Sequence, residues 1–318
     1  MRSFKLYVVT VVLALCPIAS LAPLHEGADQ IHPRNPSMVA RPPDGAPIPR
    51  FRLVSPSQLA AYSGIPVPPT SRLQARGIIG ADHRVLYDTH EYPSKLFGRV
   101  LSLEPCCPEP WLGRTCSASL IGPRHAMTAR HCIYSQNGPV RFEPNVLDAG
   151  KIELSYALDV IMLGTAEGIE VPGDINKMNG CAQVNDWAIL ILEDRLGDRY
   201  GYVGAKEIDP ATQINKQLFS YVGYPTDKEA AYTWDDATRR PHRQDGISVL
   251  RAETCEKCCP LLTDADSISG QSGGPLFSME DGLVWQYGAG SGSADFGSTF
   301  ASGPHFVNAV AMARKEYP

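Results

Sequence analysis

A serine set among glycines, in Gly270-Gln271-Ser272-Gly273-Gly274-Pro275, and a histidine beside a cysteine, in Thr128-Ala129-Arg130-His131-Cys132, are the residues of this chain best suited to chemistry. Glycines on either side let a serine present its hydroxyl on a tight turn, with backbone N–H groups near enough to hold an oxyanion. An imidazole brought beside that hydroxyl takes its proton. Together the two segments point to acyl transfer by a serine nucleophile. Taken singly, each has a duller role: a glycine-rich turn is usually only a turn, and a histidine beside cysteine serves structure or binds metal.

The elements around these residues read as short strands. β-rich runs at 98–103, 117–121, 158–163, 187–192, 218–222, 246–252, 275–278 and 283–288 alternate with Gly, Pro, Asn and Asp, which predicts an all-β sandwich or barrel. Only the tail, from His305 to Tyr317, reads as a helix, with Phe306, Ala309, Val310 and Ala313 on one side. No internal repeat is visible. Ahead of this region, between Pro23 and Pro69, 11 of 47 residues are proline and hydrophobic periodicity is slight. Such a stretch is expected to bury too little apolar surface to offset its ordering entropy, as in a pro-segment or flexible stalk.

The 318 residues are enough for two modest cores, and 29 basic against 34 acidic residues give a net charge of −5 without a basic run. Nucleic acid is therefore not expected as a partner. Arg2 and Lys5, the apolar run from Leu6 to Cys16, and the small residues Ala19, Ser20 and Ala22 read as a secretory signal over residues 1–20. The apolar run is much shorter than the ~20 residues of a membrane-spanning helix. A secreted, extracellular protein without a membrane anchor is expected. Of nine cysteines, Cys16 leaves with the signal, and the remaining eight suit disulfides in an oxidising compartment.

The order His131, Asp186, Ser272, with their local contexts, resembles the chymotrypsin-fold (trypsin-like) serine endopeptidases. In that family the histidine lies in Thr-Ala-Ala-His-Cys, matched by Thr128 to Cys132 except at Arg130. The aspartate opens an apolar strand, as Asp186 does before Trp187-Ala188-Ile189-Leu190, and the serine lies in Gly-Asp-Ser-Gly-Gly-Pro, matched except at Gln271. Over about Ile78 to Tyr317 the resemblance implies two six-stranded antiparallel β-barrels with the active site between them and a short C-terminal helix. It places barrel one at about 77–195 and barrel two at about 196–318, after a pro-segment at 21–76. It implies a disulfide between Cys116 and Cys132, worth roughly 3 kcal/mol in the chain-entropy model. It also implies the roles: Ser272 as nucleophile, His131 as general base, Asp186 orienting the imidazole, and the N–H groups of Gly270 and Ser272 as oxyanion hole. Asp159 and Asp174 compete for the aspartate's role. Protein or peptide substrates follow, and no cofactor or metal is required.

Two features depart from the trypsin pattern. At Gln271 that family carries an aspartate, which pairs with the ammonium freed by cleavage; a neutral amide cannot. This brings the chain closer to the microbial glutamyl-endopeptidase branch, as do Ile79 to Arg84, Asp88-Thr89 and Tyr92-Pro93. Removal of the Pro-rich segment near Arg76 or Gly77 would then suffice for activation. The resemblance puts Asp266, Ser267 and Ser291 around the primary substrate pocket. A buried Asp266 favours Arg or Lys before the scissile bond, against the alternatives that it caps a turn or that the enzyme is Glu-specific. Gly290 stands where glutamate-specific members place a pocket histidine, and the only later histidine is His305. Cys255, Cys258 and Cys259 suggest zinc or, with Cys106, Cys107 and Cys181, further disulfides in any of 15 pairings. A non-catalytic binding protein on the same scaffold and a zinc-stabilised module are the rival classes.

Overall fold

The computed structural model describes residues 37–39, 42–68, 83–105, 111–133, 136–147, 153–164, 182–227, 240–252, 260–294 and 297–318. The signal-like residues 1–20, the Arg76-Gly77 region, Asp174, and Cys106, Cys107, Cys181, Cys255, Cys258 and Cys259 lie outside them.

Two closed six-stranded barrels carry the fold, and their strands are numbered β1 to β12 in chain order. The first holds β1 (Phe97–Pro105), β2 (Trp111–Gly122), β3 (His125–Thr128), β4 (Val140–Pro144), β5 (Ser155–Leu163) and β6 (Ala188–Leu192). Hydrogen-bonded neighbours run β1-β2-β3-β6-β5-β4 and back to β1, all antiparallel. The second holds β7 (Gln217–Gly223), β8 (His242–Ala252), β9 (Leu261–Thr263), β10 (Pro275–Glu280), β11 (Leu283–Ala294) and β12 (Gly297–Ala301). Its cycle is β7-β8-β9-β12-β11-β10, again antiparallel. The two barrels therefore share one strand order, a structural repeat with no counterpart in residue identity. Closure leaves neither sheet a long free edge.

The apolar runs are continuous because several strands serve two cores at once. In β6, Ala188, Leu190 and Leu192 fill barrel one, whereas Ile189 and Ile191 face a second cluster shared with barrel two and the C-terminal helix Pro304–Glu316. In β10, Leu276 packs inside barrel two and Phe277 joins that shared cluster, where its ring lies 4.8 Å from Phe97. Alternating side chains thus bury both faces. The helix contributes Phe306, Ala309, Val310 and Ala313, the face expected from the sequence.

The Pro-rich stretch departs from expectation. Arg50–Val54 pairs in parallel with β5, and the helix Pro56–Ala60 follows behind an N-terminal capping box made by Ser55 and Gln58. Leu59 is fully buried in the same cluster as Phe306 and Val310. No proline falls within the strand itself, since Pro42, Pro43, Pro47 and Pro49 precede it, and Pro56 starts the helix where its missing N–H costs nothing. Arg314 of the C-terminal helix ties the stretch down by donating to the carbonyls of Val67, Ile121 and Val203. Composition alone hides this because proline is counted without regard to where it falls.

Candidate active site between the barrels

His131 lies on the single turn Arg130–Cys132 that leaves β3, and the disulfide Cys116–Cys132 fastens that turn to β2. Asp186 immediately precedes β6. Because β3 and β6 pair through Thr128 and Ala188, the chain segments just beyond this pair converge, and Asp186 meets His131 there. One carboxylate oxygen, Oδ2, is 2.6 Å from His131 Nδ1, and the other accepts from the His131 backbone N–H at 2.9 Å. Ser291 on β11 donates to Oδ2 at 2.6 Å. Asp186 is fully buried, so three hydrogen bonds replace the water its carboxylate has lost. An oxygen held 2.6 Å from Nδ1 favours the tautomer with the proton on Nδ1, which leaves Nε2 as the basic nitrogen.

Ser272 sits on the turn between Ile268 and Gly274 that enters β10. Gln271 N–H donates to Ile268 O, Gly274 N–H to Gln271 O, and Gly273 N–H to Gly290 O on β11. Gly270 and Gly273 have φ of 92° and 80°, where a side chain is strained. At Gly273 a Cβ would stand 2.2 Å from Thr128 Oγ1 and 2.6 Å from Ala129 N. The serine turn therefore packs backbone to backbone on the histidine turn. Cys132 Sγ lies 3.7 Å from Ser272 O, and Ser272 O accepts from Ser117 N–H at 2.7 Å.

Ser117 on β2 is a site residue that sequence reasoning missed. Its hydroxyl donates to Gly270 O at 2.8 Å and accepts from Tyr224 N–H at 2.9 Å, while its carbonyl accepts from Thr128 Oγ1. It joins the histidine segment, the serine turn and barrel two. Only the cysteine beside it, Cys116, marks the spot in the sequence. Tyr224 is itself wholly buried, and that burial pushes its phenol pKa well above the usual range.

The other expected residues fall differently. Ser291, expected around substrate, turns its hydroxyl to Asp186 instead and is buried. Asp266 is not the enclosed carboxylate expected of a pocket floor: its side chain is 44% exposed, 3.7 Å from His83 Nδ1. Ser267 Oγ lies 3.5 Å from Tyr221 OH. That hydroxyl also fills the space beside Gly290, where a Cβ would approach it to 2.7 Å. His305 is in the first turn of the C-terminal helix, and burial lowers its pKa. Asp159 is taken up by Arg50 and Arg52, at 2.8 and 2.5 Å. Cys116, His131 and Cys132 come within 4.8 Å of one another, but both sulfurs belong to the disulfide and are not thiolate ligands.

Twin antiparallel barrels of this kind define the chymotrypsin fold. The chain belongs to the trypsin family, whose model matches residues 108–315. It is 23% identical over 205 residues to a glutamyl endopeptidase of Bacillus licheniformis, a match spanning 64% of this chain and 55% of that protein. The chain thus covers only about half the length of this relative. Among solved structures, a Glu endopeptidase in complex with MPD superposes with a TM-score of 0.53 at 17% identity, over 75% of this chain and all of that one. At that identity the likeness speaks for the fold.

Proposed function

We propose that this protein is a secreted serine endopeptidase acting through Ser272, His131 and Asp186. The observation that carries the reading is the buried Asp186–His131 pair, with the turn of Ser272 packed against the histidine segment. Ser272 Oγ attacks the scissile carbonyl as its proton passes to His131 Nε2. Asp186 accepts from Nδ1–H and stabilises the imidazolium. The N–H groups of Gly270 and Ser272 receive the developing oxyanion. His131 then protonates the leaving amine, and water reverses the steps to release the acid. The signal-like residues 1–20 support secretion. The test is labelling by a fluorophosphonate with the modified residue located by peptide mapping. Label on Ser272, and a fall in turnover on the order of 10⁶ in Ser272→Ala, is the expected result. A folded protein that takes no label there is a non-catalytic homologue.

For substrate choice, two readings meet at Asp266. A carboxylate near the pocket favours Arg or Lys before the scissile bond, but one this open to water contributes less to binding than an enclosed one. His83 beside it, and the glutamyl endopeptidase relative, favour an acidic side chain instead. Cleavage rates on matched Arg, Lys, Glu and Phe anilides decide. Basic preference lost in Asp266→Asn supports the first, and Glu preference lost in His83→Ala supports the second.

A further inference from the structure

We propose that Arg84 is a positioning residue: through Gln271 it orders the turn that carries Ser272, in place of an ammonium supplied by chain cleavage. The proposal rests on the reading of Ser272 as nucleophile. Gln271, the residue immediately before the serine, is 1% exposed. Its Oε1 accepts from Arg84 Nη1 at 3.1 Å and from Ile268 N–H at 3.1 Å. Its carbonyl accepts from Tyr221 OH at 2.5 Å, and its stem packs where Gly223 leaves room, so that a Cβ there would meet it at 2.9 Å.

Arg84 is held in turn. Its guanidinium donates to both carboxylate oxygens of Asp227, at 3.2 and 2.8 Å, a forked pair that fixes the plane of the group. Val85–Leu86 adds to β8, and Tyr87 N–H donates to Pro241 O at 2.8 Å, so the backbone on one side of Arg84 is pinned to barrel two. On the other partner's side, Thr226 N–H donates to Ser269 O at 3.0 Å. The cation is thus neutralised by Asp227 while one N–H remains on the amide of Gln271. A neutral glutamine suits this arrangement, because a carboxylate at 271 would leave the cluster with a second negative charge. With the 271 side chain untied, the backbone at 271 is free to turn, and with it the 271–272 peptide whose N–H, that of Ser272, meets the oxyanion. Since the tie is a side chain inside the polypeptide, it needs no free amino terminus.

The experiment compares Arg84→Ala, Arg84→Lys, Gln271→Ala and the double variant Arg84→Ala/Gln271→Ala, using the best anilide substrate. Arg84→Ala is expected to lower kcat at least about tenfold while KM moves less than about threefold, with partial recovery in Arg84→Lys. The double variant should lose no more than the worse single one, because both changes cut the same tie. Amide hydrogen exchange over residues 268–274 should quicken in Arg84→Ala while β5 and β6 stay protected. Arg84→Gln stands in if the alanine variant does not fold. Unchanged kcat, losses that multiply in the double variant, or unchanged exchange in the turn overturns the proposal. Failure of the wild type to take label on Ser272 would sink the catalytic reading separately, and exchange would still decide whether Arg84 orders the turn.

Discussion

Gly273 shows how little freedom a single position has at this site. A methyl group there would meet Thr128 Oγ1, Ser117 O and Ala129 N, all within 2.6 Å, and φ of 80° is strained for any residue with a Cβ. Gly273→Ala should therefore push the serine turn off the histidine turn and cut kcat at least about a hundredfold, more than it lowers stability; steady-state kinetics beside a thermal melt check this. Ser291→Ala removes one of three donors to a buried carboxylate. It should cost about 1–2 kcal/mol in kcat/KM, roughly a tenfold loss, with the fold retained. Of the proposed site, His131, Asp186 and Ser272 can be picked out in the sequence because each sits in a local context that matches the family pattern. Ser117 and Arg84 cannot. Both reach partners far along the chain: Ser117 lies in a strand-like run that carries no mark of what it will meet, and Arg84 closes a segment whose resemblance says nothing of its partners.

At the scale of elements, the long strands are visible because alternate residues serve two apolar cores, as β6 shows. The short ones are hidden for the opposite reason. β4 carries the buried pair Arg99–Glu143 on its partner and itself, so its pattern reads as polar, and β9 has only three residues. The strand Arg50–Val54 is likewise masked, because its arginines face outward to pair with Asp159. The side chains of Arg50 and Arg52 are 71% and 40% exposed, whereas that of Asp159 is 4% exposed. The two sides of the pair thus have unequal weight. Asp159→Ala returns two cations to water and should cost little, but the double change Arg50→Ala/Arg52→Ala strands a buried carboxylate and should cost about 3 kcal/mol. Leu59→Ala, which opens a void under the neighbouring helix, should cost about 2–5 kcal/mol. Urea titration of each variant measures these. Costs near zero for Leu59→Ala would mean that this N-terminal stretch contributes nothing to the folded state.

The C-terminal helix packs on the apolar cluster shared by the two barrels, and one imidazole beneath that helix links unfolding to pH. His125, fully buried at the start of β3, has its pKa pushed down to about 4, first by burial and then by the charge of Arg314. Arg124 adds a smaller push the same way, while the backbone carbonyls of Tyr317 and Ala313 oppose it. Burial also lowers Arg314, to about 10, which still leaves it charged at every pH below neutrality. In the unfolded chain the same imidazole titrates near ~6.5. Between these two values the unfolded state binds the extra proton, so stability is full above about 6.5 and falls as pH drops towards 4. The loss attributable to His125 is about 3 kcal/mol, and it is complete once the folded imidazole also charges. Carboxylates titrate in the same range in any variant, so the difference between wild type and His125→Gln isolates this group. Urea unfolding from pH 7.5 to 4 should give a flatter profile for the variant, whatever its absolute stability. Parallel profiles would mean that water reaches the imidazole, and that the C-terminal helix does not seal the cluster shared by the two barrels.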